Sequence, residues 1–411
     1  MAQLNITLNQ EEILQLLCND RDDAFRKLLQ ESLDSILKAE SAEQLKAEPY
    51  ERSVERTDSR NGMRERDLTT RIGKITLHVP RHRNKPFRTM IFDNYSRSEA
   101  ALIACMAEMV VNGVSTRKVS QVVETLCGET VSKSSVSDLC RELDEKVEAF
   151  RDRPLDGDYP FLSVDATYFK VRENHRIISK AFMIAYGVSD LGKREILGFG
   201  VYPSETLDTW NAFLNSLKIR GLKGVLMITS DAHEGIRGAI SRVFPEASWQ
   251  RCQFHFSRNI TGKVPKRYQT GLRAELGDLF NSDTISEARK KRDAIIEEYR
   301  DVAEDAMRCL DEGFEDAMTV MTLPKALRKN FRTSNYLERL NLELKRRSKV
   351  IGVFPNDASL LRLMGSVLLE RHEAVQLQKN VFKKNGYLDL IHSKVPEQLR
   401  MIARQQLLQA A

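Results

Sequence analysis

Three acidic residues stand where carboxylates could bind divalent metal ions. Asp165 lies in a largely apolar stretch, Asp231 follows the apolar run at residues 224–228, and Glu338 lies in a segment rich in Lys and Arg. An ionised group beside a core strand is costly unless it is compensated, so the setting of Asp165 favours a functional role. Carboxylate oxygens are ligands that Mg²⁺ prefers, and two such ions can activate the attacking oxygen and stabilise the leaving oxygen at a phosphodiester. The three acids therefore predict two-metal phosphoryl transfer.

The elements that must position these acids can be read from the hydrophobic pattern. Strands are expected at 161–171, 177–188, 195–202, 224–228 and 248–254, with helices at 206–217, at 232–243 and from 257 onward. Three antiparallel strands followed by a helix, a strand, a helix and a strand are typical of the ribonuclease-H-like fold, in which strands one and four are neighbours. That fold would place Asp165 beside Asp231.

Glu338 must then come from a later helix. Residues 266–327 are highly charged with a helical pattern, and they predict an all-α insertion between the second acid and the third. The next helix carries Glu338 among basic residues, so it could lie beside a DNA backbone while its acid reaches the metals. Phosphate contacts are predicted for the cations on and after this helix, namely Arg339, Lys345, Arg346, Arg347 and Lys349.

The first part of the chain has a different character. Residues 1–50 are acidic and repeat apolar side chains at helical spacing, so they predict an arm that needs an apolar partner, either the same chain or a second copy. Residues 59–83 alternate apolar and polar side chains and predict a short β element. Residues 51–88 hold eleven Lys and Arg against five Asp and Glu, and this local excess of positive charge favours a nucleic-acid partner.

Three short helices are expected between residues 99 and 150, separated by turns that contain glycine. They fit a helix-turn-helix module. The last helix opens with Lys133, Ser134 and Ser135, which are candidate DNA contacts.

Composition limits the class of protein. The net charge of +6 and pI near 8.9 lean towards a polyanionic partner, and 41% hydrophobic residues are enough for buried cores. No apolar run is long enough to span a bilayer, the start of the chain lacks a signal pattern, and six scattered cysteines suit a reducing compartment. We therefore expect a cytoplasmic protein that associates with the nucleoid through DNA and has no membrane contact. No glycine-rich phosphate loop of the Walker type is present, so no nucleotide cofactor is expected.

The predicted fold class is a multidomain α/β chain with a ribonuclease-H-like catalytic core interrupted by an all-α insertion. The expected segments are a helical arm for dimerisation at 1–55, a basic β element at 56–95, a helix-turn-helix DNA-binding domain at 96–153, the first part of the core at 158–265, the insertion at 266–328, and the Glu-bearing helix with further helices at 329–411.

Three other residues have ambiguous patterns. Cys252 and His255 form a C-x-x-H pair, but no second pair at ligand spacing follows, so zinc is not expected. His233 lies two residues past Asp231 and could position water or DNA, or could be an ordinary surface histidine.

Five stretches together resemble the Mutator-like family of bacterial insertion-sequence transposases. They are RNGMRERDLTTRIGKITLHVPRHR (60–83), SVDATYFKVR (163–172), ITSDAHEGIRGAI (228–240), WQRCQFHFSRN (249–259) and SNYLERLNLELKRRSKVIGVFPN (334–356).

The resemblance implies a DDE-type transposase whose three acids bind two Mg²⁺ ions, for which Mn²⁺ can substitute. It also implies binding to the double-stranded terminal inverted repeats, strand transfer into target DNA, and a circular intermediate. The family shares the Cys252 and His255 pair near the active site, so the resemblance implies that the pair is a structural or DNA-positioning element.

Two other functions would account for part of these features. A structure-selective nuclease of the same fold would need the same acids but not the helix-turn-helix module. A non-catalytic DNA-binding regulator would use the basic segments but leaves the three carboxylates unexplained. A transposase accounts for all of these features, and because it must hold two DNA ends together we expect at least a homodimer.

Overall fold

The computed structural model describes residues 21–51, 55–70, 73–89, 100–114, 116–127, 133–383 and 385–410. These residues form two compact units, residues 1–142 and 143–411. The helical pattern predicted for residues 1–20 lies outside the described residues. In the part of the chain that is described, no helix has both the length and the apolar character needed to cross a bilayer.

The first unit begins with a helix on a β-hairpin. Helix α1 is Arg21–Leu45, and the hairpin pairs strands β1, Arg60–Thr70, and β2, Gly73–His82, in antiparallel register. Leu37 of α1 is fully buried against the hairpin, in a cluster with Leu68, Ile75, Leu77 and Val79. The apolar partner predicted for this part of the arm is therefore the same chain.

Three helices follow in the predicted order. They are α2, Ala100–Val111, α3, Thr116–Cys127, and α4, Lys133–Asp152. Their shared core comprises Met106, Val119, Val123, Val136 and Leu139. The predicted domain limit at residue 153 coincides with the end of α4, whereas the second unit already starts at Leu143. The reason is that the last turns of α4 pack within that unit, where Arg362 donates to both Asp144 carboxylate oxygens at 2.6 and 2.8 Å.

The second unit is built on a mixed five-stranded sheet. Its strands are β3, Phe161–Glu173, β4, Arg176–Val188, β5, Arg194–Tyr202, β6, Met227–Ser230, and β7, Ser248–Arg251. The spatial order is β5-β4-β3-β6-β7, antiparallel among the first three and parallel from β3 to β7. The mixed α/β class and the adjacency of β3 and β6 are as predicted. Strand β6 begins three residues later than expected, because the backbone N–H groups of Leu226 and Met227 both donate to Pro160.

Two helices cover one face of this sheet. They are α5, Leu207–Ile219, and α6, Glu234–Val243, and their buried side chains pack with Val164 and Ile228 in the main core. Trp210 is fully buried in this core. Strand β7 ends three residues earlier than predicted because Cys252 already serves as the N-cap of the next helix.

Helices dominate the remainder of the chain. They are α7, Gln253–Gly262, α8, Lys266–Phe280, α9, Ile285–Tyr299, α10, Glu304–Met318, α11, Lys325–Phe331, α12, Asn335–Ser348, α13, Asp357–Gln376, α14, Gly386–Ile391, and α15, Val395–Ala410. Helices α7 to α10 share a core of their own, which includes Leu272, Ile295 and Phe314. Helices α8 to α10 lie within residues 266–328, for which an insertion was predicted, whereas α7 lies in the part predicted as catalytic core. The insertion itself stays a prediction. Among the described cysteines, Cys140, Cys252 and Cys309 are free thiols.

Candidate active site

Asp165 and Asp231 come from neighbouring strands of the sheet. Strand β3 pairs with β6 in parallel from Phe161 to Ser163, so Asp165 lies two residues beyond the last pair. Asp231 follows directly after β6. Because the strands are parallel, both acids lie towards the same edge of the sheet, as the sequence predicted.

The surroundings of Asp165 disfavour an isolated negative charge. Its pKa is raised to about 7, chiefly because the carboxyl is buried, with His255 lowering it and the Asp231 carboxylate raising it. The backbone N–H of Ala166 donates to Oδ1 at 2.9 Å. A carboxyl whose pKa is raised by burial and by a second acid is suited to binding a cation, which would offset both effects.

Glu338 lies in the first turn of α12, and the segment before this helix is fastened to the sheet. The Thr229 hydroxyl of β6 donates to the Phe331 carbonyl at 2.8 Å, and the Gln253 backbone N–H donates to the Arg332 carbonyl at 3.0 Å. Tyr336 stacks on Tyr186 of β4 with ring centroids 4.4 Å apart. These contacts fix the start of α12, and hence Glu338, over the sheet.

A further contact joins α12 directly to Asp165. The Asn341 side-chain Nδ2 donates to Asp165 Oδ2 at 2.9 Å, while Asn341 Oδ1 is buried without a hydrogen-bond partner in the described structure. Asn341 follows Glu338 by three residues, so both side chains lie on one face of the helix. No motif in the sequence marked Asn341, although its spacing from Glu338 could have identified it.

The Cys252 and His255 pair lies against Glu338. The ligand atoms of these three residues are all within 4.8 Å of one another, and His255 Nε2 is 3.9 Å from Glu338 Oε1. In the described part of the chain, no other group of three or more His, Cys, Asp or Glu side chains meets that distance. Asp165 and Asp231 therefore lie outside this close cluster, and the structure adds Glu338 to a pair that had no further ligand in the sequence.

The charges in this cluster influence one another. The pKa of His255 is raised to about 9, first by its hydrogen bond with Cys252, against the effect of burial, and further by Asp165 and Glu338. Burial raises the pKa of Cys252, but hydrogen bonds with His255 and Ser334 outweigh it and lower the pKa overall. Burial raises the pKa of Glu338, while His255 opposes that rise. His255 therefore interacts electrostatically with both Asp165 and Glu338.

Cys252 also holds the beginning of α12. Its buried Sγ accepts hydrogen bonds from the Ser334 backbone N–H at 3.4 Å and from the Ser334 hydroxyl at 3.3 Å. Ser334 in turn accepts the Glu338 backbone N–H at 3.0 Å. The C-x-x-H pair thus contacts both the start and the acid of the same helix, which supports its interpretation as a structural element of the site.

His233 and Glu205 lie beside Asp231. The His233 backbone N–H donates to Asp231 Oδ1 at 3.3 Å, and its ring Nδ1 accepts from Gly235 at 3.2 Å as the N-cap of α6. Burial raises the pKa of Glu205, and Asp231 raises it further while His233 lowers it. Glu205, in the loop before α5, is a fourth acid near the site, and no motif in the sequence marked it.

The predicted phosphate contacts on α12 fall into two groups. Arg339, Lys345 and Lys349 are exposed. Arg346 is exposed but contacts Glu343 through two hydrogen bonds. The Arg347 side chain is only 11% exposed and contacts Glu343 and Glu370. The side chains of Lys133, Ser134 and Ser135 lie outside the described residues.

The sequence model described as "Transposase, Mutator family" matches residues 1–377. Together with two acids on adjacent strands and a third on a helix bound to the first, this match defines the class of protein. The chain belongs to the Mutator family of transposases.

Named relatives agree with this assignment. The chain is 41% identical over 377 residues to the transposase for insertion sequence element IS256 in transposon Tn4001 of Staphylococcus aureus, covering 91% of this chain and 96% of that one. It is 39% identical to the transposase for ISRM5 of Rhizobium meliloti, over 90% of this chain and 91% of the relative. It is 38% identical to the transposase for IS1081 of Mycobacterium tuberculosis, over 85% of each chain.

Proposed function

We propose that this insertion-sequence transposase is of the DDE type, cutting and joining DNA with Asp165, Asp231 and Glu338. One observation carries the proposal. Asp165 and Asp231 come from the adjacent parallel strands β3 and β6. The 2.9 Å hydrogen bond from Asn341 to Asp165 joins α12, which carries Glu338, to strand β3.

The donor atoms fit two Mg²⁺ ions, for which Mn²⁺ can substitute. Carboxylate oxygens are the ligands such hard cations take. Glu338 Oε1 is buried without a hydrogen-bond partner in the described structure, with His255 Nε2 3.9 Å away, and a buried carboxylate oxygen would be stabilised by a bound cation. When bound, two divalent ions would activate the attacking oxygen and stabilise the leaving oxygen. The protein's own part is to fix the three acids, through the sheet for Asp165 and Asp231 and through α12 for Glu338.

The ribonuclease-H-like fold is part of this proposal. It is supported by the strand order β5-β4-β3-β6-β7, with three antiparallel strands followed by two parallel ones, and by helices α5 and α6 in the connections. In that fold the acid of the first strand and the acid after the fourth strand work together, which supports the proposed roles of Asp165 and Asp231.

DNA is the proposed partner, as the inverted-repeat ends of the element and as target DNA. The basic β-hairpin and helices α2 to α4, taken as a helix-turn-helix domain, are proposed to recognise the ends. Arg339 and Lys345 on α12 and Lys349 directly after it are exposed, so they are the best placed of the predicted phosphate contacts. The same proposal includes a circular intermediate, which the family resemblance implies. It also includes action in the cytoplasm, where the protein would associate with the nucleoid through DNA.

A homodimer is proposed because two DNA ends must be held together during joining. The apolar face of α1 gives no further argument for a second copy, since the hairpin of the same chain covers Leu37 and its neighbours. Light scattering of the protein on DNA that carries both ends would give the mass of two chains. A single chain on such DNA would contradict the proposal.

A strand-transfer assay tests the chemistry. A labelled duplex with an end of the element is incubated with Mg²⁺ and either the unchanged chain or Asp231→Asn. Metal-dependent joining that the variant lacks is the expected result. Cleavage without joining would favour the structure-selective nuclease, and binding without either reaction would favour the DNA-binding regulator.

A further inference from the structure

A basic groove lies between α7 and α8, beside the segment that leads into α12. Its volume is about 560 Å³. The lining contains Arg258, Arg273 and Arg332, and no Asp or Glu is among the described residues that line it. The groove therefore concentrates positive charge without a neutralising carboxylate of its own.

The three arginines differ from those of neighbouring helices. On α9 and α10, Arg289 and Arg308 each contact a carboxylate. In the described part of the chain, no carboxylate lies within ion-pair distance of the three groove arginines, and the polar contact of Arg332 is with Asn281 Oδ1 at 2.7 Å. Arg258 and Arg273 are both exposed. Guanidinium groups arranged in this way suit phosphate oxygens.

An exposed aromatic ring belongs to the same groove. Phe254 is 50% exposed, although it lies among arginines and polar side chains. A cationic groove that also offers an aromatic face is the combination that binds single-stranded nucleic acid, since phosphates meet the cations and a base stacks on the ring. A small anion such as free phosphate would leave the ring without a role.

The groove opens next to the proposed active site. The Phe254 ring lies 5.6 Å from the His255 ring, and His255 Nε2 is 3.9 Å from Glu338 Oε1. Thr333 also lines the groove and precedes Ser334, whose carbonyl accepts the backbone N–H of Glu338. A strand lying in the groove would thus continue towards Glu338.

We propose that this groove holds an unpaired stretch of DNA strand beside the scissile phosphate, with its phosphates on Arg258, Arg273 and Arg332 and one base stacked on Phe254. The inference rests on the proposed function, since it assumes that DNA is cut beside Glu338. Its test uses binding alone.

The experiment compares two fluorescein-labelled duplexes of the same sequence, one blunt and one ending in a single-stranded oligo-dT tail. Anisotropy titrations of the full chain in EDTA measure both affinities over a range of salt concentrations. The unchanged chain should prefer the tailed duplex. Phe254→Ala should bind it roughly 5-fold to 100-fold more weakly, the loss of one stacked base, and should keep its affinity for the blunt duplex. Arg273→Ala should lower the salt dependence of tailed-duplex binding by about 0.7 in the logarithmic slope.

Arg300→Ala is the matched control, because Arg300 is an exposed arginine at the end of α9, outside the groove lining. It should leave the preference for the tail unchanged, and thermal unfolding of every variant confirms that the fold is intact. The proposal is overturned if the unchanged chain does not prefer the tailed duplex, or if Phe254→Ala and Arg273→Ala bind it as well as the unchanged chain does. Joining by Asp231→Asn would overturn the proposed function and leave this binding result standing.

Discussion

The Asn341 amide donates a 2.9 Å hydrogen bond to Asp165, across 176 residues of sequence. Asn341 is 8% exposed and lies one turn after Glu338 on α12. The bond therefore couples the helix that carries the third acid to the strand that carries the first. Among the described residues the other donor to Asp165 is the Ala166 backbone N–H, which binds Oδ1, so the orientation of Oδ2 depends on the Asn341 amide.

Replacing Asn341 by Leu keeps the volume of the side chain and removes the donor. Partners that orient metal ligands typically account for about 10-fold to 100-fold in metal affinity or activity. We expect Asn341→Leu to raise the Mn²⁺ concentration for half-saturation, measured by electron paramagnetic resonance, by a factor in that range. Strand transfer should fall in parallel, while the affinity for DNA ends stays unchanged.

Asn335→Leu is the control for that experiment, since Asn335 is exposed in the first turn of the same helix. It should match the unchanged chain in Mn²⁺ affinity. Equal Mn²⁺ affinities for Asn341→Leu and the unchanged chain would show that Asn341 does not position Asp165.

Cys252 should contribute to stability through Ser334. Cys252→Ala removes the acceptor for the buried Ser334 backbone N–H and hydroxyl, and a buried donor left without a partner costs about 1–3 kcal/mol. Urea unfolding of the full chain should detect this loss. Cys252→Ser retains an acceptor and should recover part of it. Equal stabilities of the alanine and serine variants would contradict the role of the sulfur as an acceptor.

Arg347 and Lys345 of α12 should have different roles, the first in stability and the second in DNA binding. Arg347 is 11% exposed and contacts Glu343 and Glu370, so Arg347→Ala should lower the free energy of unfolding by about 1–3 kcal/mol, because it leaves the Glu343 carboxylate with fewer donors. Lys345 is exposed, so Lys345→Ala should leave stability unchanged and weaken DNA binding with a smaller salt dependence. Urea unfolding and anisotropy titrations distinguish the two effects. The reverse outcome would mean that Arg347 leaves its ion pairs to contact DNA.

His372 should make stability depend on pH. Its pKa is lowered to about 4 from 6.5, first by burial and then by Arg153, and its Nδ1 accepts the Ile196 backbone N–H at 3.2 Å. Because the folded-state pKa lies below the unfolded one, the contribution is complete above pH 6.5 and is lost as the pH falls towards 4. The stability difference between the unchanged chain and His372→Gln should shrink over that window by at most roughly 3 kcal/mol.

His392→Gln is the control for the pH series, because His392 is exposed. Urea unfolding between pH 4 and 7 measures the stability difference of this variant from the unchanged chain as well. A constant difference for His372→Gln would show that His372 is not held neutral by its surroundings.

Much of the second unit followed from local patterns. The strands that became β3, β4 and β5 and the helices α5 and α6 were predicted within a few residues, because their apolar side chains repeat with the period of the element. The limits of β6 and β7 were less accurate. They are set by the Pro160 carbonyl and by the helix start at Cys252, and neither contact belongs to a local pattern.

The sequence by itself determined the family, the candidate acids and the order of the elements, since motifs and periodicity are properties of neighbouring residues. Tertiary structure decided which side chains meet. It placed Asn341 on Asp165, brought Glu338 to the Cys252 and His255 pair, and turned Arg347 towards Glu343. Such contacts join segments far apart in the chain and depend on how helices pack on the sheet, which no local spacing records.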